Sequence, residues 1–441
     1  MVVRTALFST FGAALLAVMF SACSQDEDRL PGERRDIRPG VDSGSGVRNN
    51  QAGEPPPLRL ETASEIGSWT HSNGSASHFG KHRALAPRLT YAWSVGIGAG
   101  NSKRFRISSE PVVVGGRVFT LDAQSLASAF DMTGRRLWKR DLSPNLEDPG
   151  EVTGGGLAYG GGTLVATTGF GEVIALDPES GRIRWRHRLD AALSSAPTVD
   201  RNRVVVVGRN DKAVGLSLEN GRILWQQFGA GDSSGVFGAG SPAMSGRLVI
   251  LPFSSGAVVA ALSENGVSVW NSTVAGGRRG LSRSRIAAIS GDPVIGDDMV
   301  FVGNHSGSLA ALDRNTGLIN WQVRDGATGP IWLAGNSVFV VTDQSRLKRL
   351  SAADGTGLWS VELPAYDDPD DRAGAFVHFG PVLAGGRLFV AGSDGYLRSF
   401  DPRTGRALGS IEIPDGAASR PVVAGGVLFV LSTDGELHAY R

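Results

Sequence analysis

One phrase, written again and again along a chain of 441 residues, limits what this protein can become. Its fullest form closes the stretch from Pro293 to Trp321 and reads Ala311-x-Asp313-x-x-Thr316-Gly317-x-x-x-Trp321. The stretch contains three short apolar runs, Met299 to Val302, Leu309 to Leu312 and Leu318 to Trp321, parted by turns rich in Asp, Asn and Gly. Runs of that length between such residues read as strands joined in a meander. In the last turn Asp313 and Thr316 can bond to the backbone, and Gly317 can take a positive φ that strains other residues. Trp321 then ends the unit with a large flat surface.

Repetition of this kind marks solenoids and propellers. One unit runs from Pro111 to Trp138, with Asp131 and Gly134 in place, and a second ends Ala175-x-Asp177-x-x-Ser180-Gly181-x-x-x-Trp185. Further units open at Pro197, Pro242 and Pro330 and close at Trp225, Trp270 and Trp359. A unit from Pro381 keeps Asp401, Thr404 and Gly405 but has Gly409 where tryptophan is due. The last opens at Pro421 and stops at Arg441 with its final strand missing. An orphan final strand, Thr90 to Val95, precedes the first unit, and the two fragments complete one another. The expected fold is therefore all-β: an eight-bladed β-propeller of four-stranded antiparallel blades, the last closed by an N-terminal strand so that no edge is left open. Trp93, Trp138, Trp185, Trp225, Trp270, Trp321 and Trp359 fall on the repeat position and are expected to fill space between blades. The 61 glycines, spread along the chain, suit many tight turns.

The N-terminus reads differently. Residues 1–22 hold one charge, Arg4, and an apolar run from Ala6 to Phe20 that is short for a membrane span, which is the make-up of a signal peptide. The run closes on Phe20-Ser21-Ala22-Cys23, and Cys23 is the sole cysteine. This resembles a bacterial lipobox, although Phe20 stands where leucine is usual. The resemblance implies that Cys23 is lipidated and that, with Ser24 following, the chain is sorted to the outer membrane. Residues 23–85 show no sustained apolar period and are expected to form a mostly disordered tether ahead of a propeller at 86–441. His71, His78 and His82 form the only group of histidines and are not expected to hold a metal. Lys and Arg total 44 against 43 Asp and Glu, so the strongly basic footprint of a nucleic-acid binder is missing.

The repeated phrase resembles that of the quinoprotein (PQQ-type) propellers over residues 90 to 441. Two groups share it: the pyrroloquinoline-quinone alcohol and sugar dehydrogenases, and the BamB family, lipoprotein subunits of the machinery that folds β-barrels into the bacterial outer membrane. Many of the dehydrogenases clamp their quinone with adjacent cysteines, and here the sole cysteine lies in the lipobox. The lipobox, the tether, the eight compact units and the phrase Leu30 to Arg34 resemble the BamB family. That resemblance implies a non-enzymatic, lipid-anchored scaffold facing the periplasm, with no cofactor and no metal. Two alternatives stay open on sequence, a PQQ-dependent dehydrogenase and a periplasmic binder of peptides or glycans. No phosphate loop or complete dinucleotide fingerprint is present in the chain. The acidic run Asp367 to Asp371 matches no calcium loop and reads as a solvated loop between blades.

A propeller of short blades binds through the loops between them. The segment Val274 to Asp292 carries Arg278, Arg279, Arg283 and Arg285 beside Leu281, Ile286 and Ile289, and arginine beside exposed aliphatics is the make-up of an interface centre. The segment Leu189 to Ala196 is apolar for a loop. In the BamB family the loops leading into these same two units contact the POTRA domains of the central barrel subunit. The residues assigned to that contact are Leu189, Leu193, Arg283, Arg285, Ile286 and Asp292. Arg285 and Ile286 fall on the family's Arg-Leu pair and Leu189 on a family leucine, while Ala192, Ala288 and Ser290 depart from its charged positions.

Overall fold

The computed structural model describes residues 57–144, 154–229, 240–274, 289, 291–327 and 329–441. The expectations placed on residues 1–22, Cys23, Leu30 to Arg34, Arg278, Arg279, Leu281, Arg283, Arg285 and Ile286 lie outside them. Eight four-stranded antiparallel sheets are present, spanning 112–141, 155–188, 198–228, 243–273, 294–323, 332–362, 378–412 and 422–440; they are blades 1 to 8 below. Blade 8 takes its outer strand, Tyr91–Gly96, from the N-terminal side, pairing Trp93 with Ala439 and Gly96 with Glu436. The acidic run is a small exposed hairpin, Tyr366–Asp368 against Ala373–Ala375, between blades 6 and 7. Middle strands such as Arg203–Val207 are continuous runs of valine because both of their faces are covered by neighbouring blades. Outer strands such as Ser268–Thr273 bury little besides the tryptophan.

The phrase has a physical explanation that spans two blades. Each repeat tryptophan donates its indole N–H to a carbonyl in the outer turn of the following blade. Trp93 bonds Met132, Trp138 bonds Pro178, and Trp185 bonds Leu218, at 3.1, 3.1 and 2.7 Å. Trp225, Trp270, Trp321 and Trp359 bond Ser263, Arg314, Ala352 and Pro402 at 2.9 to 3.2 Å. The glycine of that same turn lies flat on the ring. A Cβ on Gly317, whose φ is +72°, would stand 2.5 Å from Trp270. Asp313 closes the turn by accepting from the Asn315 and Thr316 amides and the Thr316 hydroxyl at 2.8 to 3.0 Å. Gly409 now has a reason. An indole at this position would have to reach the outer turn of blade 8, and that blade has none, since its third strand ends at Tyr440 and its fourth arrives from elsewhere.

The domain boundary expected at 85 is corrected by the structure. Residues 57–85 are folded into the ring, where they form a turned-back loop in the central channel, called the hairpin below. Its limbs run parallel where they touch, with Ser64 N donating to His82 O at 3.1 Å and Ala84 N to Ser64 O at 2.9 Å. Its tip is the 3₁₀ turn Ser72–Gly74. Along the way it bonds all eight blades. Ile66 O accepts from Gly425 of blade 8, Trp69 exchanges two bonds with Val113 of blade 1, and Thr70 O accepts from Tyr159 of blade 2. His71 Nε2 accepts from Val199 of blade 3, Ala76 O from Met244 of blade 4 and Ser77 O from Ile295 of blade 5. Asn73 Nδ2 donates to Ile331 O at the start of blade 6, and Arg83 exchanges bonds with Leu383 and Gly385 of blade 7. The innermost strand of a blade presents its free backbone groups to the channel, and once the channel is filled those groups must be paired within it. Backbone bonding of this kind needs no amphipathic period, which is why the segment reads as a tether.

Trp69 and Trp332, the two tryptophans outside the repeat, are each 0% exposed and stack on one another at 6.3 Å between ring centres. The Arg83 guanidinium covers Trp69 at 5.2 Å from its ring centre. Gly80 passes so close that a Cβ there would stand 2.4 Å from Trp332. Trp69→Ala or Trp332→Ala is expected to cost on the order of 3–5 kcal/mol. Gly80→Ala is expected to destabilise as well, by forcing the hairpin off the ring. Thermal unfolding followed by circular dichroism should show each variant losing stability in one transition; a separate early transition with the ring unchanged would mean that hairpin and ring are independent.

Candidate functional site

The hairpin runs in past the blade 6 turn at Gly335, which touches Arg59, and back out past the blade 7 turn at Gly385, which touches Leu85. Both turns join a first strand to a second. The tip therefore points to the other side of the ring, where the chain runs from each blade into the next. There it floors a cavity of about 300 Å³. The walls are residues just ahead of the inner strands, among them Ser108, Glu110, Ser195, Ser241 and Asp292, and the floor includes His71.

Five ionisable groups meet at this end of the channel. Burial, with Asp292 adding, pushes the Glu110 carboxyl up to about 7, against the pull of Arg420 and of the Trp69 indole N–H at 3.3 Å. Arg420 is buried, lies 3.7 Å from Glu110 through Nε, and donates from Nη2 to the carbonyls of Pro330 and Pro381 at 3.1 and 3.3 Å. It thereby ties blade 8 to blades 6 and 7. Burial and the nearby His78 push His71 down to about 3. His71 Nε2 accepts from the Val199 amide, so its proton sits on Nδ1, 2.9 Å from the Thr70 hydroxyl. His78 is lowered by burial against the opposing charge of Asp292. Its Nδ1 lies 2.8 Å from the Pro293 carbonyl, which only accepts, so Nδ1 carries the proton there too.

Both histidines hold structure together through these bonds. His82 likewise engages both ring nitrogens, with Glu61 O at 2.7 Å and Gly386 N at 2.9 Å. Among the described residues no three His, Cys, Asp or Glu side chains converge as a metal site. Ser432 stands 2.9 Å from His438 Nε2 and bonds Asp434, which has the look of a nucleophile with its base. Both Ser432 and His438 are buried inside blade 8, and the hydroxyl closes a turn onto Glu436 O.

The residues assigned to a partner from sequence are only partly brought together. Leu189 is half-buried at the end of blade 2, its amide held by Gly171 O at 2.8 Å. Leu193 is a correction: at 1% exposure it closes the core between blades 2 and 3 and presents no surface. Ile289, expected among exposed aliphatics, is 0% exposed and packs between blades 4 and 5. Asp292 lines the cavity and accepts from the Ser241 amide at 2.6 Å. Ser194, Ser195 and Ala196 line it as well, so both segments singled out from sequence end at its rim. Glu110, Arg420 and Trp69 went unnoticed in the sequence. The one signal for this end of the channel was the pair of tryptophans that the repeat left over.

A family model described as outer membrane protein assembly factor BamB matches residues 122–361 and 343–441. The outer membrane protein assembly factor BamB of Shewanella oneidensis is 25% identical over 334 residues, covering 74% of this chain and 82% of that one. Its namesake in Escherichia coli is 24% identical over 329 residues, covering 74% and 81%. Among solved structures, BamB from Moraxella catarrhalis superposes with a TM-score of 0.66 at 19% identity, covering 80% of this chain and all of that one. The quinohemoprotein alcohol dehydrogenase of Comamonas testosteroni gives 0.65 at 15% identity, covering 86% and 81%. Likeness at these identities speaks to the fold alone, and it does not separate the two groups.

The buried cluster makes stability depend on pH with two opposed signs. Glu110 contributes stability that is full below its ordinary value of 4.5 and is lost as pH rises through about 7. His71 contributes stability that is full above 6.5 and is lost as pH falls from there toward 3, and His78 has the same sign. Each is worth up to about 1.4 kcal/mol per pH unit while one state alone titrates. The melting temperature is expected to rise slightly from pH 8 to a maximum near neutrality, then to fall on acidification. Glu110→Gln should flatten the alkaline limb and steepen the acid limb between about pH 7 and 4.5, where the Glu110 contribution otherwise offsets part of the histidine loss. A melting temperature that climbs steadily down to pH 5 in the parent would contradict these assignments.

Proposed function

Since the chain belongs to the family of the outer membrane protein assembly factor BamB, we propose that it is a non-enzymatic subunit that assists the assembly of β-barrel proteins into the outer membrane. The observation that carries the reading is the family match, which runs through the repeats from residue 122 to the end of blade 8. The filled channel supports it. The hub is occupied by a hairpin of the chain's own, stacked on Trp332, so that the loops around the ring are the surface left for a partner. In the finer reading Cys23 carries the lipid and residues 24–56 link it to the ring. The ring faces the periplasm and meets the POTRA domains of the central barrel subunit on the side of the cavity. Contact there falls to Leu189, Arg283, Arg285 and Ile286, with Asp292 at the root of the second segment. Leu193 is left out because it is buried.

Purification from detergent-solubilised envelopes is expected to recover the central barrel subunit with this chain, and recovery of unrelated proteins alone would sink the reading. Cys23→Ala is expected to move the chain from the membrane to the soluble fraction. Replacing both Arg285 and Ile286 with Asp should cut recovery of the barrel subunit by about tenfold, the scale of removing one interface anchor, with the melting temperature unchanged. Undiminished recovery would remove the contact from that segment.

A further inference from the structure

The hydrogen bonds at the tip of the hairpin form a closed circuit through three consecutive blades. His71 holds the Val199 amide, two residues past the proline that opens blade 3. The Thr198 hydroxyl donates to Pro242 O at the start of blade 4. The Ser241 amide donates to the Asp292 carboxylate ahead of blade 5 at 2.6 Å. Pro293 O then takes the His78 Nδ1 proton at 2.8 Å, which returns the circuit to the hairpin. Between the two histidines, Ala76 O and Ser77 O accept from Met244 and Ile295. His78 is itself held at a φ of +55°, a conformation that only firm partners maintain.

We propose that the hairpin tip positions the partner-binding side of the propeller, with His71 and His78 as positioning residues that fix where the chain leading into blades 3 and 5 joins the ring. The inference rests on the reading that a partner docks on that side. It gives the hairpin two tasks. The limbs, through Ile66, His82 and Arg83, hold blades 7 and 8 at their first strands and first turns. The tip holds the first strands of blades 3, 4 and 5, and through His78 on Pro293 O, with the Thr198 and Ser241 links, it reaches the chain that opens blades 4 and 5, on the side where both segments assigned to the partner end. Asp292 adds a charged link between the two roles: it faces His78, Glu110 and Arg420 across the cluster.

The test compares two histidines of one hairpin. The full chain is immobilised and the periplasmic domains of the central barrel subunit are passed over it. His78→Ala is expected to weaken binding tenfold or more. His78→Asn, which tolerates the same backbone conformation and offers an amide donor to Pro293 O, should restore affinity to within about threefold. His82→Ala loses bonds of the same kind on the far limb; it should lower the melting temperature comparably and leave affinity alone. Equal weakening by His78→Ala and His82→Ala, or none by His78→Ala, overturns the inference while the partner reading stands. No binding by the parent chain overturns both. Amide exchange on the parent needs no variant. Partner binding should slow exchange at Val199, Met244 and Ile295 relative to Gly385 and Gly425, and uniform slowing would also count against the proposal.

Discussion

The ring stands on an indole laid under the next blade's turn. A single four-stranded sheet of this size cannot bury its own faces, so each blade is stable only through its neighbours. Trp270 under Gly317, with its N–H on Arg314 O, shows how the neighbour is chosen. The ring face excludes any side chain on the glycine, the turn's aspartate fixes the loop, and the carbonyl sets the angle. Repeating that contact seven times propagates one geometry from blade 8 through blade 7. At the remaining junction the pattern lapses because there is no outer turn to receive it. Tyr440, buried at the end of blade 8 with its hydroxyl on Glu412 O of blade 7, takes up that place.

Closure at the rim leaves the hub to be solved separately. Eight inner strands converge with free backbone groups, and small residues cannot fill the space between them. The hairpin meets both needs with backbone carbonyls and amides for the strands and the Trp69–Trp332 stack for the volume. At the cavity end of the hub the charges are matched. Arg420 is compensated by Glu110 and Asp292, and the histidines stay neutral because burial disfavours their charged forms.

Much of this was legible in the sequence, and the limits have physical causes. The repeat specified the blades, their number and the borrowed strand, since turn chemistry and tryptophan packing are local and recur. Gly409 could be noticed but not explained until the missing turn was placed in space. Residues 57–85 read as a tether because their order comes from partners hundreds of residues away, such as Gly386 for His82. Leu193 and Ile289 sit in loop-like sequence, which points to exposure, yet each turns inward to close the core between two blades. Trp69 and Trp332 were the legible hint: in a chain whose other tryptophans all have a repeat position, two without one call for a separate structural reason.

The hairpin also decides how the ring would bear a mechanical load. Residue 57 leads directly into the hub, and the borrowed strand of blade 8 comes later in the chain. A tug arriving from the N-terminal direction meets bonds to every blade before it reaches Tyr91. Those bonds have to give before tension reaches the outer strand of blade 8, which is thereby shielded from being peeled away first. Had the chain entered straight into that strand, the closure of the ring would have been its weakest link under tension.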